Sequence, residues 1–87
     1  MNVVDSIRNF LATELRIVDA RELDPELPLV QKGIVDSIEI MQVVLFIERE
    51  YEIVIDETEI LPGNLRSLST IARFVESKRA VGSSTTD

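Results

Sequence analysis

The chain has no cysteine and no histidine in its 87 residues. Without cysteine there is no disulfide framework, no thiolate metal site and no thiol nucleophile. Without histidine the commonest general base and the commonest neutral metal ligand are missing as well. So few catalytic side chains argue against an enzyme. No window approaches the run of about 18 apolar residues that a membrane-spanning helix needs, so no transmembrane segment is expected. The opening MNVVDSIRNF lacks the basic start and apolar block of a signal peptide, and the expected location is cytoplasmic.

What is present suits one small domain. Hydrophobic residues make up 45% of the chain, and its length is near the lower limit at which a single core suffices. The net charge of −7 is concentrated in one segment. Residues 36–59 hold Asp36, Glu39, Glu48, Glu50, Glu52, Asp56, Glu57 and Glu59 against Arg49 alone. A surface of that sign repels nucleic acid and attracts basic partners, although a plain solvated face is also often acidic.

Val4, Ile7, Leu11 and Leu15 recur at helical spacing with Phe10 widening the stripe, which predicts an amphipathic helix over residues 3–16. Residues 17–35 form a long connection, because Asp24-Pro25 and Leu27-Pro28 both oppose a continuous helix. A connection of that length either crosses a bundle or carries function, and Leu23, Leu27, Leu29 and Ile34 would pin it to the core. A second helix starts after Asp36, whose carboxylate can cap it while Glu39 completes a capping-box pattern. Ile40, Val43, Ile47 and Tyr51 form its buried stripe, with Val44 alongside. The β-branched 53–55 run is too short and unpartnered for a strand and is expected to be a packed connector. Asp56 and Glu59 repeat the cap pattern before a short helix stopped by Pro62-Gly63. Ser67 caps a last helix whose Leu68, Ile71, Ala72 and Val75 face inward with Phe74 beside them. The expected fold is all-α: three longer helices and one short one, with a long loop between the first two, over residues 1–80. Residues 81–87 have too little apolar surface to order themselves and are expected to be a disordered tail.

Two readings of Asp36-Ser37 compete. In one, Asp36 is an ordinary cap. In the other, Ser37 is a chemical handle on the first turn, where unpaired N–H groups and about half a unit of positive charge favour a phosphate. Gly33 allows a tight approach into the turn. AspGluThrGlu at 56–59 also has two readings, a cation site or a cap; it lacks the alternating ligands and central glycine of a calcium loop, which favours the cap. Met41 and Leu45, four residues apart and off the buried line, are either the edge of the core or an apolar contact stripe for partners, with Ile38 and Gln42 beside it.

The arrangement GlyIleValAspSerIle, then an apolar-acidic helix, TyrGluIleValIleAspGlu, a short helix and SerLeuSerThrIleAlaArgPheVal, resembles the acyl carrier and peptidyl carrier proteins over residues 3–80. The resemblance implies that Ser37 is esterified to 4′-phosphopantetheine, whose thiol carries cargo as a thioester. It implies that Asp36 helps a phosphopantetheinyl transferase engage the site. The missing cysteine then has a reason, since the reactive thiol arrives with the prosthetic group. The partners it implies are that transferase, an acyl- or aminoacyl-activating ligase, and a downstream synthase or acyltransferase. They would dock on Ile38, Glu39, Met41, Gln42, Leu45 and Glu48 of a monomer. Relative to fatty-acid-synthase carriers, Gln42 and Arg49 stand where acids are usual, and Phe46 stands where a small residue usually lies near the acyl cavity. These departures imply a specialised pathway and a short, polar or aminoacyl load, with a D-alanyl-type or peptidyl carrier as an alternative. An unmodified helical interaction module is the more remote one.

Overall fold

The computed structural model describes residues 2–84, with residues 80–84 described as backbone alone. The helices are α1 (Val3–Thr13), α2 (Ser37–Tyr51), α3 (Pro62–Leu65) and α4 (Leu68–Ser84), and no strand forms among the described residues. Single 3-10 turns occupy Ala20–Glu22 and Glu57–Glu59. This is the expected all-α bundle with a long first connection.

The Asn2 side chain opens α1 by accepting the Asp5 N–H at 2.8 Å. The helix ends at Thr13, three residues short of the expected end. The cause is a reversal: Arg16 and Asp19 take left-handed φ values of 54° and 59°, and the Ile17 N–H donates back to the Leu11 carbonyl at 2.9 Å. Leu15 and Ile17 thereby return to pack against the core. The buried face is Val3, Ile7, Phe10 and Leu11, so Val3 rather than Val4 leads the stripe.

The long connection is fastened at both ends. The Arg8 guanidinium donates to the Leu23 carbonyl, and Arg21 donates to Asn9 Oδ1 at 2.9 Å, which holds the 3-10 turn against α1. Farther on, the Ser69 N–H donates to the Pro25 carbonyl at 2.9 Å and the Leu29 N–H to the Arg66 carbonyl at 2.8 Å. The connection therefore crosses from α1 to the start of α4. Leu29 is fully buried, as are Ala20 and Val35; a leucine or valine so placed contributes about as much as a helical core residue, roughly 1.5–3 kcal/mol.

In α2 the buried residues are Ile40, Val43, Val44 and Ile47. Tyr51 departs from the expected stripe: it is half-buried, with Arg79 stacked 5.3 Å above its ring centroid. Its hydroxyl is buried without a hydrogen-bond partner among the described residues. The 53–55 segment is a connector as expected, with Ile55 buried and Val54 exposed. The Ile55 N–H donates to the Glu48 carboxylate at 2.8 Å.

The expected short helix after Asp56 is instead two pieces. Asp56 caps only the 3-10 turn Glu57–Glu59, and Pro62 does not stop a helix but starts α3 from its first position. Proline's fixed φ and missing N–H suit the first turn of a helix. Ser67 is fully buried and its Oγ accepts the Thr70 N–H at 3.2 Å, capping α4. Leu68, Ile71 and Val75 are fully buried, with Ala72 and Phe74 packed beside them. The backbone of α4 continues through Ser84, past the expected limit at Ala80; the remainder of the expected tail, 85–87, lies outside the described residues.

Candidate functional site

The start of α2 is a closed capping box. Asp36 Oδ1 accepts the N–H groups of Ile38 at 3.0 Å and Glu39 at 2.7 Å. In return the Asp36 N–H donates to Glu39 Oε1 at 2.9 Å. The cap reading is thus correct for Asp36, yet it does not displace the other reading. The box occupies the residues around Ser37 and leaves Ser37 itself exposed.

The approach to Ser37 is rigid. Gly33 has φ +72°, a left-handed conformation that other residues reach only with strain. No neighbour stands where a Cβ would project, so the demand is conformational. After it, the Ile34 and Val35 N–H groups both donate to the Leu29 carbonyl, at 2.9 and 3.3 Å. Val35 is buried one residue before the cap. Ser37 therefore projects from a backbone tied on one side to the core and on the other to α2.

Beside Ser37 lies an open cleft of about 570 Å³, within the range of sites that take small ligands. Ile40 and Met41 of α2 form one wall, Val30 another, and Ile60, Leu61 and Leu65 the opposite side; Arg66 stands on the rim. None of the residues that line it is acidic. The sequence reading missed this cleft, because its far wall comes from two short pieces that carry no periodicity. The signal in the sequence is an apolar residue close to each of Pro28 and Pro62, Val30 and Leu61; both prove exposed.

Phe46 does not line this cleft. Its ring stacks on Phe10 with centroids 4.5 Å apart and planes 20° from parallel, in the seam between α1 and α2. Phe46 borders a separate, smaller hollow with Leu45, Gln42 and Arg49, so it does not narrow the cleft beside Ser37. A single sequence gives the face of a helix but not which neighbour covers it.

Ile38 is 71% exposed and Leu45 61%, so these two are surface residues and not the edge of the core. Met41 is 38% exposed and also faces the cleft. Gln42 is exposed beside them. The two acids expected among the docking residues have structural partners: Glu39 in the capping box and Glu48 on the Ile55 amide.

At 56–59 the second box closes in the same way, with the Thr58 N–H and hydroxyl both donating to Asp56 Oδ1 at 2.9 and 2.8 Å. Lys78 Nζ reaches both Glu59 oxygens at 2.8 and 3.0 Å. The ammonium of Lys78, then the Asp56 amide, hold the Glu59 carboxyl below its ordinary pKa; the Thr58 amide and hydroxyl do the same for Asp56. The segment is a cap, and among the described residues no group of three acids is gathered to hold a metal ion.

The family model for the phosphopantetheine attachment site matches residues 5–75. The chain belongs to that family. No curated relative matches it. Members of the family carry a covalently attached 4′-phosphopantetheine group, so this is a carrier domain, of the kind that phosphopantetheinyl transferases and acyl-handling enzymes act upon. The match spans everything from the first turn of α1 to Val75 of α4. Among the described residues no helix is long and apolar enough to cross a membrane.

The arm fits this carrier at the start of α2. An exposed serine hydroxyl on a first turn leaves room for a phosphodiester. The helix's N-terminal charge favours its negative charge, and apolar walls open beside it.

Proposed function

We propose that Ser37 carries the phosphopantetheine arm and that the protein, itself without catalysis, delivers an acyl group held on it to partner enzymes. The observation that supports this most is the exposed Ser37 hydroxyl between a closed capping box and an apolar cleft. The arm supplies a thiol that the polypeptide lacks. The chain's own residues hold and present: Asp36 and Glu39 fix the first turn, and Val35 anchors the backbone beneath it. In the esterification the Ser37 hydroxyl gives up its proton and its oxygen bonds to the phosphorus of coenzyme A's phosphopantetheine half, while the pyrophosphate bond breaks and adenosine 3′,5′-bisphosphate leaves. A phosphopantetheinyl transferase catalyses the step, with Asp36 next to Ser37 in the chain. Incubation with coenzyme A and the transferase, followed by intact mass, tests the reading. Ser37→Ala should keep the helical content and lose the mass gain of one phosphopantetheine completely; an alanine variant that still loads overturns the assignment.

The cleft favours a load with an apolar body over a bare aminoacyl group. Its walls are aliphatic side chains, and burying aliphatic carbon there contributes roughly 0.8 kcal/mol per methylene. Octanoyl loading should therefore raise the melting midpoint above that of the alanyl-loaded protein. Equal midpoints would favour the aminoacyl alternative.

Partners are proposed to dock on Ile38, Met41, Gln42 and Leu45, close to the arm. The ligase, the transferase and the downstream synthase or acyltransferase would share this face of a monomeric, cytoplasmic carrier. Glu50 and Glu52 at the far end of α2 supply steering charge, while Glu39 and Glu48 act chiefly within the fold. Leu45→Ala should weaken transferase binding by a similar factor at low and high salt, since apolar contact is little screened. A silent Leu45 variant would move the docking face elsewhere.

A further inference from the structure

We propose that Arg66 is an anion-binding residue for the loaded arm, pairing with an oxyanion carried either by the arm's phosphodiester or by a carboxylate on the cargo. The inference rests on the carrier reading above and deepens it by naming the chemistry that the cleft selects.

Arg66 contributes the sole charge on the lining of the cleft that opens at Ser37. The chain has 16 acids against nine bases, so a cleft without an acid and with one cation departs from the rest of the surface. The position is fixed: Arg66 lies between buried Leu65 and buried Ser67, and its carbonyl accepts the Leu29 N–H at 2.8 Å. Of the acids that flank the lining segments in sequence, Asp36, Glu39, Asp56 and Glu59 have other partners. Asp36 holds the amides of Ile38 and Glu39, Glu39 holds the Asp36 amide, and Asp56 holds Thr58. Glu59 is taken by Lys78 on α4. Arg66 makes no side-chain hydrogen bond or ion pair among the described residues, a state it shares with Arg16, Lys32, Arg49 and Arg73; of these five it alone lines the cleft at Ser37.

A cation just past a helix also meets the carbonyl end of that helix, but α3 is a single turn of four residues and its dipole is correspondingly slight. Beside apolar walls an ion pair is stronger than in open water. The guanidinium fork suits two-point pairing with a carboxylate or phosphate. A neutral acyl chain would use the walls and leave Arg66 free; a dicarboxylic half-thioester would use both.

The test compares four forms of the full chain, apo, holo with free thiol, butyryl-loaded and succinyl-loaded, with intact mass verifying each. The readout is the side-chain Nε–H resonance of Arg66 together with the melting midpoint. A shift that first appears in the holo form and persists assigns the phosphodiester as the anion. A shift confined to the succinyl form, with a midpoint several degrees above that of the butyryl form, assigns the cargo carboxylate. Arg66→Gln should abolish the midpoint difference and Arg66→Lys should keep part of it. An Arg66 resonance unchanged across all four forms, with loading verified, overturns the proposal and leaves the carrier reading standing. Absence of any mass gain at Ser37 instead sinks the carrier reading, and the proposal with it.

Discussion

Asp36-Ser37-Ile38-Glu39 and Asp56-Glu57-Thr58-Glu59 place two acids at the same spacing, and both close into complete capping boxes. Their surroundings then diverge. The first box opens a helix of 15 residues, holds its glutamate within the box, and leaves an exposed hydroxyl beside an apolar cleft. The second opens a 3-10 turn of three residues, uses its own hydroxyl internally, and ties its glutamate to Lys78 on α4. One local motif therefore serves as a presenting platform in one place and as a joint in the other. The capping acids do not make the difference; the residue between them and the element behind them do.

The largest effect tests whether a capped serine is enough. In the Ser37→Ala background, Glu57→Ser would give the second box the same Asp-Ser pair. We expect no phosphopantetheine to be transferred to it, by intact mass, because no long helix stands behind it and residue 57, unlike Ser37, is not on the lining of the cleft. Loading at residue 57 would mean that the box alone specifies the site.

A middle-sized effect separates stability from function. Asp36→Ala should lower unfolding stability by about 1 kcal/mol in denaturant titrations, the usual loss for a helix cap, and Asp56→Ala should lower it less, since only a 3-10 turn is capped. Asp36→Asn keeps a capping oxygen and should recover most of that loss while still slowing transfer to Ser37; Asp56→Asn should leave transfer unchanged. If Asp36→Asn loads at the normal rate, Asp36 acts only as a cap.

The smallest effect is in the acid limb of stability. Lys78 and the Asp56 amide lower the Glu59 pKa in the folded state. The resulting stabilisation is present above the unfolded glutamate pKa and is lost as pH falls through the lower folded value. Lys78→Met should therefore be less stable than the unaltered protein at neutral pH, with the gap narrowing below the ordinary glutamate range. A gap independent of pH would assign the loss to packing by the lysine stem.

Much of this was legible in order of locality. The boxes at Asp36 and Asp56, the cap at Ser67 and the inward faces of α2 and α4 follow from spacing, because each is decided within one or two turns. The end of α1 was misplaced because the left-handed residues Arg16 and Asp19 are not glycine or asparagine, so nothing in the local composition signals the reversal. Pro62 starts a helix where its place after the second box suggests a stop, since proline favours both positions. Ser37 could be singled out from the sequence, but the cleft next to it could not. Its walls come from residues 30, 40–41, 60–63 and 65–66, and only the crossing of the long connection brings them together.

That crossing has a kinetic corollary. The Leu29 N–H on the Arg66 carbonyl joins the segment that leads to Ser37 with the segment that carries the far wall. Any load that spreads those two segments must lengthen this bond. The amide of Leu29 is thus a built-in gauge of occupancy: its exchange with deuterated water would quicken when a bulky cargo wedges the walls apart and slow when a small one lets them close.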